Sequence, residues 1–335
     1  MPENFGKLGP IDWQAVVDEA LRRRKVEKLT QREHAALASV SIPTIAAFDR
    51  GERTLTLAKA FDILRVVGLV AESPHDGVQE NFVREAFKRW RTLTGKLQPD
   101  SPARFPLGWY RIDYAIEGEF EHPDLTELHK VIQKSVIRHT GWPMFMSMTR
   151  EEFAPREIDG VLEAWLKPRE AGVDRFSEDA AHCDFWRAAP SGRFFLIRGY
   201  QEDSQDAVPP GTIFDTTLPI WRLGEALLHA AHVASHLRGK QSVDLTVRLR
   251  ALYSGLQGRQ LRSLRASPFD FFLESTPARS GEAMLETALP VSAIEHDLAS
   301  VVYPLAASLY ERFGIPQLGH DFVRVEIDRF RKGKF

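Results

Sequence analysis

Glu225, His229, His232 and His236 recur in WRLGEALLHAAHVASHL at intervals of four, three and four. That spacing lays one carboxylate and three imidazoles along one face of a helix. Such groups can hold a divalent cation, and His229 and His232 are the adjacent pair that could share one, with His182 or Cys183 reaching in from elsewhere. A helix rises about 1.5 Å per residue, so the stripe runs on the order of 16 Å and cannot close around a single ion. We therefore expect a polar or interfacial face beside a Leu227, Leu228 and Val233 core stripe, with no metal and no cofactor. A second set of groups suits phosphate chemistry: Gln31, Arg50 and Arg53 flank the short segment Ser41, Ile42, Pro43, Thr44 and Ala47.

The elements that position this second set read as short helices. Asp12 can cap a helix carrying Trp13, Val16, Val17 and Leu21, and Thr30 with Glu33 has the spacing of a capping box. Ser41 is a cap followed by Pro43 in the first turn, where its missing N–H costs nothing, and Gly51 stops that helix. A fourth helix spans about 57–67, with Leu57, Phe61 and Leu64 on one face. AESPHDG, over 71–77, has linker composition, and Phe82, Phe87 and Trp90 follow at near-helical spacing. We divide the chain into residues 1–70, a linker with a helix over 71–106, and a mixed α+β domain over 107–335. In the last, GWYRIDYAI and VLEAWL read as strands, FWRAAPSGRFFLIRGY as a hairpin, and 125–139, 218–237 and 301–313 as helices. VDLTVRLRALYSG and GRQLRSLR read as two strands joined near Gly255 and Gly258.

The segment LTQREHAALASVSIPTIAAFDRGERTLTLAKAFDILRVVGL resembles the helix-turn-helix of the XRE (Cro and phage-repressor-like) family, over about residues 13–70. Leu29-Thr30-Gln31 opens the second helix, Leu37-Ala38 ends it, Val40-Ser41 makes the turn, Ile45 faces inward, and Asp49-Arg50-Gly51-Glu52-Arg53 closes the third. The resemblance implies an all-α DNA-reading module whose third helix enters the major groove. It implies base-edge and phosphate roles for Gln31, Ser41, Ile42, Pro43, Thr44, Ala47, Arg50 and Arg53. The chain departs from the family at His34, where Leu is favoured, and at Ser39, where Gly is favoured. Ile42, Pro43 and Ala47 have no side-chain donor, so sequence reading would lean on thymine methyls, Thr44 and DNA shape. A helix-turn-helix turned over to protein interaction is the competing reading.

A chain of 335 residues with 43% hydrophobic and 27% charged residues is long enough for two or three folded domains. Its single cysteine excludes an intramolecular disulfide and a zinc ribbon. No export signal and no long apolar run is present, so we expect a cytoplasmic bacterial protein, on the nucleoid when bound, with no membrane partner. The first 70 residues carry 11 Lys and Arg against 9 Asp and Glu, a net +2, and the rest 33 against 37, a net −4. Any nucleic-acid contact must therefore be local. There is no GxSxG, phosphate loop, HExxH or GxGxxG, and we expect no enzyme.

The text from DAAHCDFW to SGLQGRQL is similar to an uncharacterised region of bacterial proteins with other DNA-binding front ends, such as Schlafen-type modules, which implies a portable sensing or assembly domain. The aromatics of the 107–335 domain, among them Trp109, Tyr110, Trp186, Phe194, Phe214 and Trp221, read as core before ligand cavity. Arg248, Arg250, Arg259, Arg262 and Arg265 form a basic cluster across the expected hairpin, a solvated face before a second nucleic-acid surface. The function expected is a homodimeric transcription regulator, a repressor, binding duplex DNA, whose larger domain takes a small-molecule or protein ligand. Two alternatives are a DNA-binding component of a toxin–antitoxin or phage-defence assembly, and a nucleic-acid-targeted enzyme with an unrecognised site.

Overall fold

The computed structural model describes residues 12–38, 40–70, 77–167, 179–206, 208–239, 244–264 and 275–333, and the chain separates into two compact units, Met1–Arg84 and Glu85–Phe335. Helices and one large antiparallel sheet make it a mixed α and β structure. No helix among the described residues is long and apolar enough to cross a membrane.

In the first unit α1 (Trp13–Val26) starts at Asp12, whose carboxylate accepts the Ala15 amide at 3.2 Å. α2 (Gln31–Leu37) opens on a complete capping box: Thr30 Oγ1 accepts the Glu33 amide at 3.1 Å and the Glu33 carboxylate accepts the Thr30 amide at 2.8 Å. α3 (Ile42–Asp49) is capped by Ser41, and α4 (Leu57–Val66) by Thr56. These helices enclose Val17, Ala20, Ala35, Ile45, Phe48, Ile63 and Leu64, with Trp13 edge-on to Phe48 at 5.5 Å. The expected face of α4 is corrected in part. Ala60, Ile63, Leu64 and Val67 form the inward stripe at steps of three, one and three, which rotates Leu57 and Phe61 outward to 68% and 37% exposure.

Helix α5 (Gly77–Thr94) contains the division between the units, and its second half packs Phe87 on Trp109 and stacks Trp90 on Phe105. The larger unit is built on strands β1 (Trp109–Glu117), β2 (Arg156–Ile158), β3 (Val161–Trp165), β4 (Phe185–Ala189), β5 (Arg193–Gly199), β7 (Thr246–Ser254) and β9 (Glu282–Pro290). Their order is β2-β3-β4-β5-β1-β7-β9, antiparallel throughout, with β1 an interior strand paired to both β5 and β7. Tyr110, Ile112, Tyr114 and Ile116 alternate onto one face of β1, and α7 (Leu218–Arg238) lies against it. α7 is buried on nearly every side because α6 (Leu125–Ser135), α9 (Leu298–Tyr310) and α10 (His320–Arg331) also pack on it, as does the short α8 (Val291–His296). Gly224 belongs to that crowding: a Cβ there would lie 2.9 Å from Ile327 Cδ1.

Two expectations fail in this unit, and one strand was not foreseen. The helix from Leu125 stops at Ser135, because Val136 turns to an extended ψ of 125° and carries Ile137 into the core. The strand after Gly258, β8 (Gln260–Arg262), does not fold back on β7 but pairs in parallel with β6 (Ile213–Asp215). β7 instead takes β9 on its free edge, a strand that the sequence reading passes over along with α8 and α10.

Candidate nucleic-acid interface

Burial of Ile45 and Phe48 fixes the rotation of α3, and the residues on its other side follow from it. Ser41 and Pro43 are exposed, and Ile42, Thr44 and Ala47 are half-buried. The cap engages part of this surface: Ser41 Oγ accepts the Thr44 amide at 3.3 Å and shares a proton with Thr44 Oγ1 at 2.8 Å. What the first turn of α3 offers outward is therefore apolar, with two hydroxyls already bonded to each other.

The far end of α3 is tied down by charge. Arg24 of α1 donates to both oxygens of Asp49 at 2.9 and 2.8 Å, and Gln31 Nε2 donates to the same carboxylate at 2.7 Å. Gln31 thus links the start of α2 to the end of α3, and its amide nitrogen is committed within the protein. Trp13 Nε1 donates to the Gly51 carbonyl at 3.0 Å, holding the left-handed turn (φ +74°) that follows α3. Beyond it, Arg50 is 62% exposed and, among the described residues, pairs with Glu52 at 2.7 Å. An exposed pair of this kind is worth less than about 1 kcal/mol, so a phosphate can take the place of Glu52. Arg53 is exposed as well. His34, which stands where Leu is favoured, is accommodated by burial: its Nε2 lies 2.9 Å from the Ile63 carbonyl, and burial lowers its pKa so that the ring stays neutral. Ser39, the other departure, lies outside the described residues.

The four groups of the α7 stripe are not brought together. Glu225 accepts the Met144 amide at 2.8 Å, the Thr140 hydroxyl at 3.0 Å and Arg222 Nη1 at 2.7 Å. His229 is inside the core, with Nδ1 2.8 Å from the Tyr114 hydroxyl and its ring stacked on Phe145 at 4.6 Å. Burial, with His232 a lesser cause, pushes its pKa down to about 3. His232 is exposed, and His236 Nδ1 bonds the His232 carbonyl at 2.7 Å. Among the described residues no group of three or more His, Cys, Asp or Glu could hold a metal ion. Cys183 is buried, and burial raises its thiol pKa far above the usual range.

The basic cluster is likewise dispersed, because β8 does not pair with β7. Arg248 is bonded to Glu117 and Arg250 to Asp113, Arg259 is wholly buried against Asp203 at 2.6 Å, and Arg265 lies outside the described residues. Tyr110, Trp186, Phe194, Phe214 and Trp221 are core. The partners that set the α3 surface, Arg24, Asp49 and Trp13, were not marked as a network by the sequence, since the Arg24–Asp49 pair spans 25 residues and has no local signature. Compared with protein-family models, with curated proteins and with solved structures, the chain finds no match in any of the three.

Proposed function

We propose that residues 12–70 are an all-α helix-turn-helix domain of the XRE kind that binds duplex DNA. On this reading the chain is a two-domain, homodimeric bacterial transcription repressor whose larger domain supplies self-association and signal input. The observation that carries the reading is the asymmetry of α3. One face is fully buried through Ile45 and Phe48, its first turn is open, and exposed Arg50 and Arg53 follow its end. A helix held in this way has the width to enter a major groove, and on this reading the arginines contact phosphates.

The test is fluorescence anisotropy of full-length protein on genomic duplex fragments across a salt series. Binding should weaken steeply with salt, and Arg50→Ala with Arg53→Ala should weaken all sequences alike and lower the log–log salt slope by about one per arginine. Affinity unchanged by both substitutions together would remove this surface from DNA contact.

A further inference from the structure

One end of the central sheet in the larger unit meets the start of α7 in a cleft with about 350 Å³ of empty space, part of it open to solvent. Strand register sets Arg198, Tyr110 and Tyr253 side by side along its wall, and Arg222 of α7 and Glu202 complete it. Most of the charge here is already matched. Arg198 is locked to Asp184, its Nε 2.6 Å from Oδ1, and also donates to the carbonyls of Trp142 and Pro143. At the start of α7 Asp215 accepts the amides of Thr217 and Leu218 at 2.7 Å.

Three groups remain unmatched. Arg222 is 6% exposed and makes all its protein bonds through Nη1, to Thr140 Oγ1, the Trp142 carbonyl and Glu225. Its Nε and Nη2, the edge that pairs with both oxygens of a carboxylate, have no partner among the described residues. The Tyr253 hydroxyl is buried without a hydrogen-bond partner among the described residues, a condition that is costly unless something else supplies the bond. Glu202 is 3% exposed, with one oxygen accepting the Asp215 amide at 2.7 Å. Arg198 with Asp184, Arg222 with Glu225 and Arg259 with Asp203 cancel, so the buried carboxyls of Asp215 and Glu202 make that end of the cleft acidic while Arg222 presents one open cationic edge. A dianion would be repelled, and a simple cation would leave the guanidinium edge empty.

We propose that this cleft binds a small zwitterionic amino acid, its carboxylate on the Nε–Nη2 edge of Arg222 and within reach of the Tyr253 hydroxyl, its ammonium toward Glu202. Burial, reinforced by Asp215, holds the Glu202 carboxyl up to about 7, so an incoming ammonium would draw it into the ionised form. The inference does not rest on DNA binding and is tested without DNA.

The experiment is isothermal titration of the full chain with a panel of free α- and ω-amino acids, with acetate, ethylamine and inorganic phosphate as probes for each half and for a dianion. At least one amino acid should bind saturably, and acetate, ethylamine and phosphate at least about tenfold more weakly, since each lost charged hydrogen bond is worth about 1.5–3 kcal/mol. Glu202→Gln, which keeps an oxygen for the Asp215 amide, should lower affinity about tenfold or more by the same measure. Arg222 also holds Thr140 and Glu225, so its loss can unfold the cleft, and Tyr253→Phe provides the second variant. It should keep the wild-type melting temperature and bind more weakly. The proposal is overturned if no amino acid binds saturably, if phosphate or acetate binds as tightly, or if Glu202→Gln binds as tightly as the wild type.

Discussion

His229 and Glu202 lie in the same unit and are perturbed in opposite directions, which makes acid stability a sharp test of both environments. An imidazole free in the unfolded chain titrates near its ordinary 6.5, whereas in the fold it is held down to about 3. Between those values the unfolded chain binds a proton that the folded one refuses. Stability from His229 is therefore complete above 6.5 and falls as pH falls, by about 1.4 kcal/mol per pH unit. Glu202 is raised from 4.5 to about 7, so its folded form keeps a proton that the unfolded form releases. That contribution is complete below 4.5 and is lost as pH rises through 7, with the same slope and the opposite sign.

Over the shared window, pH 6.5 to 4.5, each term amounts to about 3 kcal/mol and the two oppose each other. Wild-type stability should be nearly flat there as far as these groups are concerned. His229→Gln, which leaves the Tyr114 hydroxyl a partner, should become about 3 kcal/mol more stable on acidification across the window, and Glu202→Gln about 3 kcal/mol less. Urea unfolding at three pH values, followed by tryptophan emission, reads this, since Trp186 and Trp221 are fully buried in the same unit. His34 and other titrating groups contribute equally to all three proteins and drop out of the comparison. Parallel profiles for the wild type and both variants would refute the reasoning.

Gly51→Ala should destabilise the first unit by about 1 kcal/mol in calorimetry, because a non-glycine residue at φ +74° costs about 1–2 kcal/mol, partly offset in the unfolded chain. The added Cβ would also meet Gln14 Oε1 at 2.5 Å, a contact that the flexible side chain can relieve, so an unchanged melting temperature would show that the turn itself is not held as described. If α3 reads DNA through Ile42, Pro43, Thr44 and Ala47, replacing operator thymines by uracil should cost on the order of 1 kcal/mol at each contacted position, measured at fixed salt. A full set of uracil substitutions without effect would move specificity from those side chains to groove shape.

Local chemistry was the legible part of the chain. Asp12, Thr30 with Glu33, and Ser41 with Pro43 mark the starts of α1 to α3 because capping is decided within four residues. The β4–β5 hairpin and α7 carry their own periodicity. Sheet order was hidden, since β1 finds its neighbours β5 and β7 far along the chain and three-residue strands such as β6 and β8 have no period to read. The same distance defeated the reading of charge: Arg259 looks like surface in the sequence and is buried on Asp203, 56 residues away. Arg222, Glu202 and Tyr253 went unmarked, because what distinguishes them is the bonds they leave unmade in the folded cleft.

The chain's one cysteine, Cys183, is sealed in the larger unit with its thiol kept protonated by burial. Thiolate, not thiol, is what attacks maleimides and disulfide-tethered oligonucleotides. The native sequence therefore already serves as a silent background for labelling. A cysteine introduced at exposed Ser41 or Arg53 would be the fast-reacting position, ready for cross-linking to a thiol-bearing duplex without first removing Cys183 and disturbing the core around it.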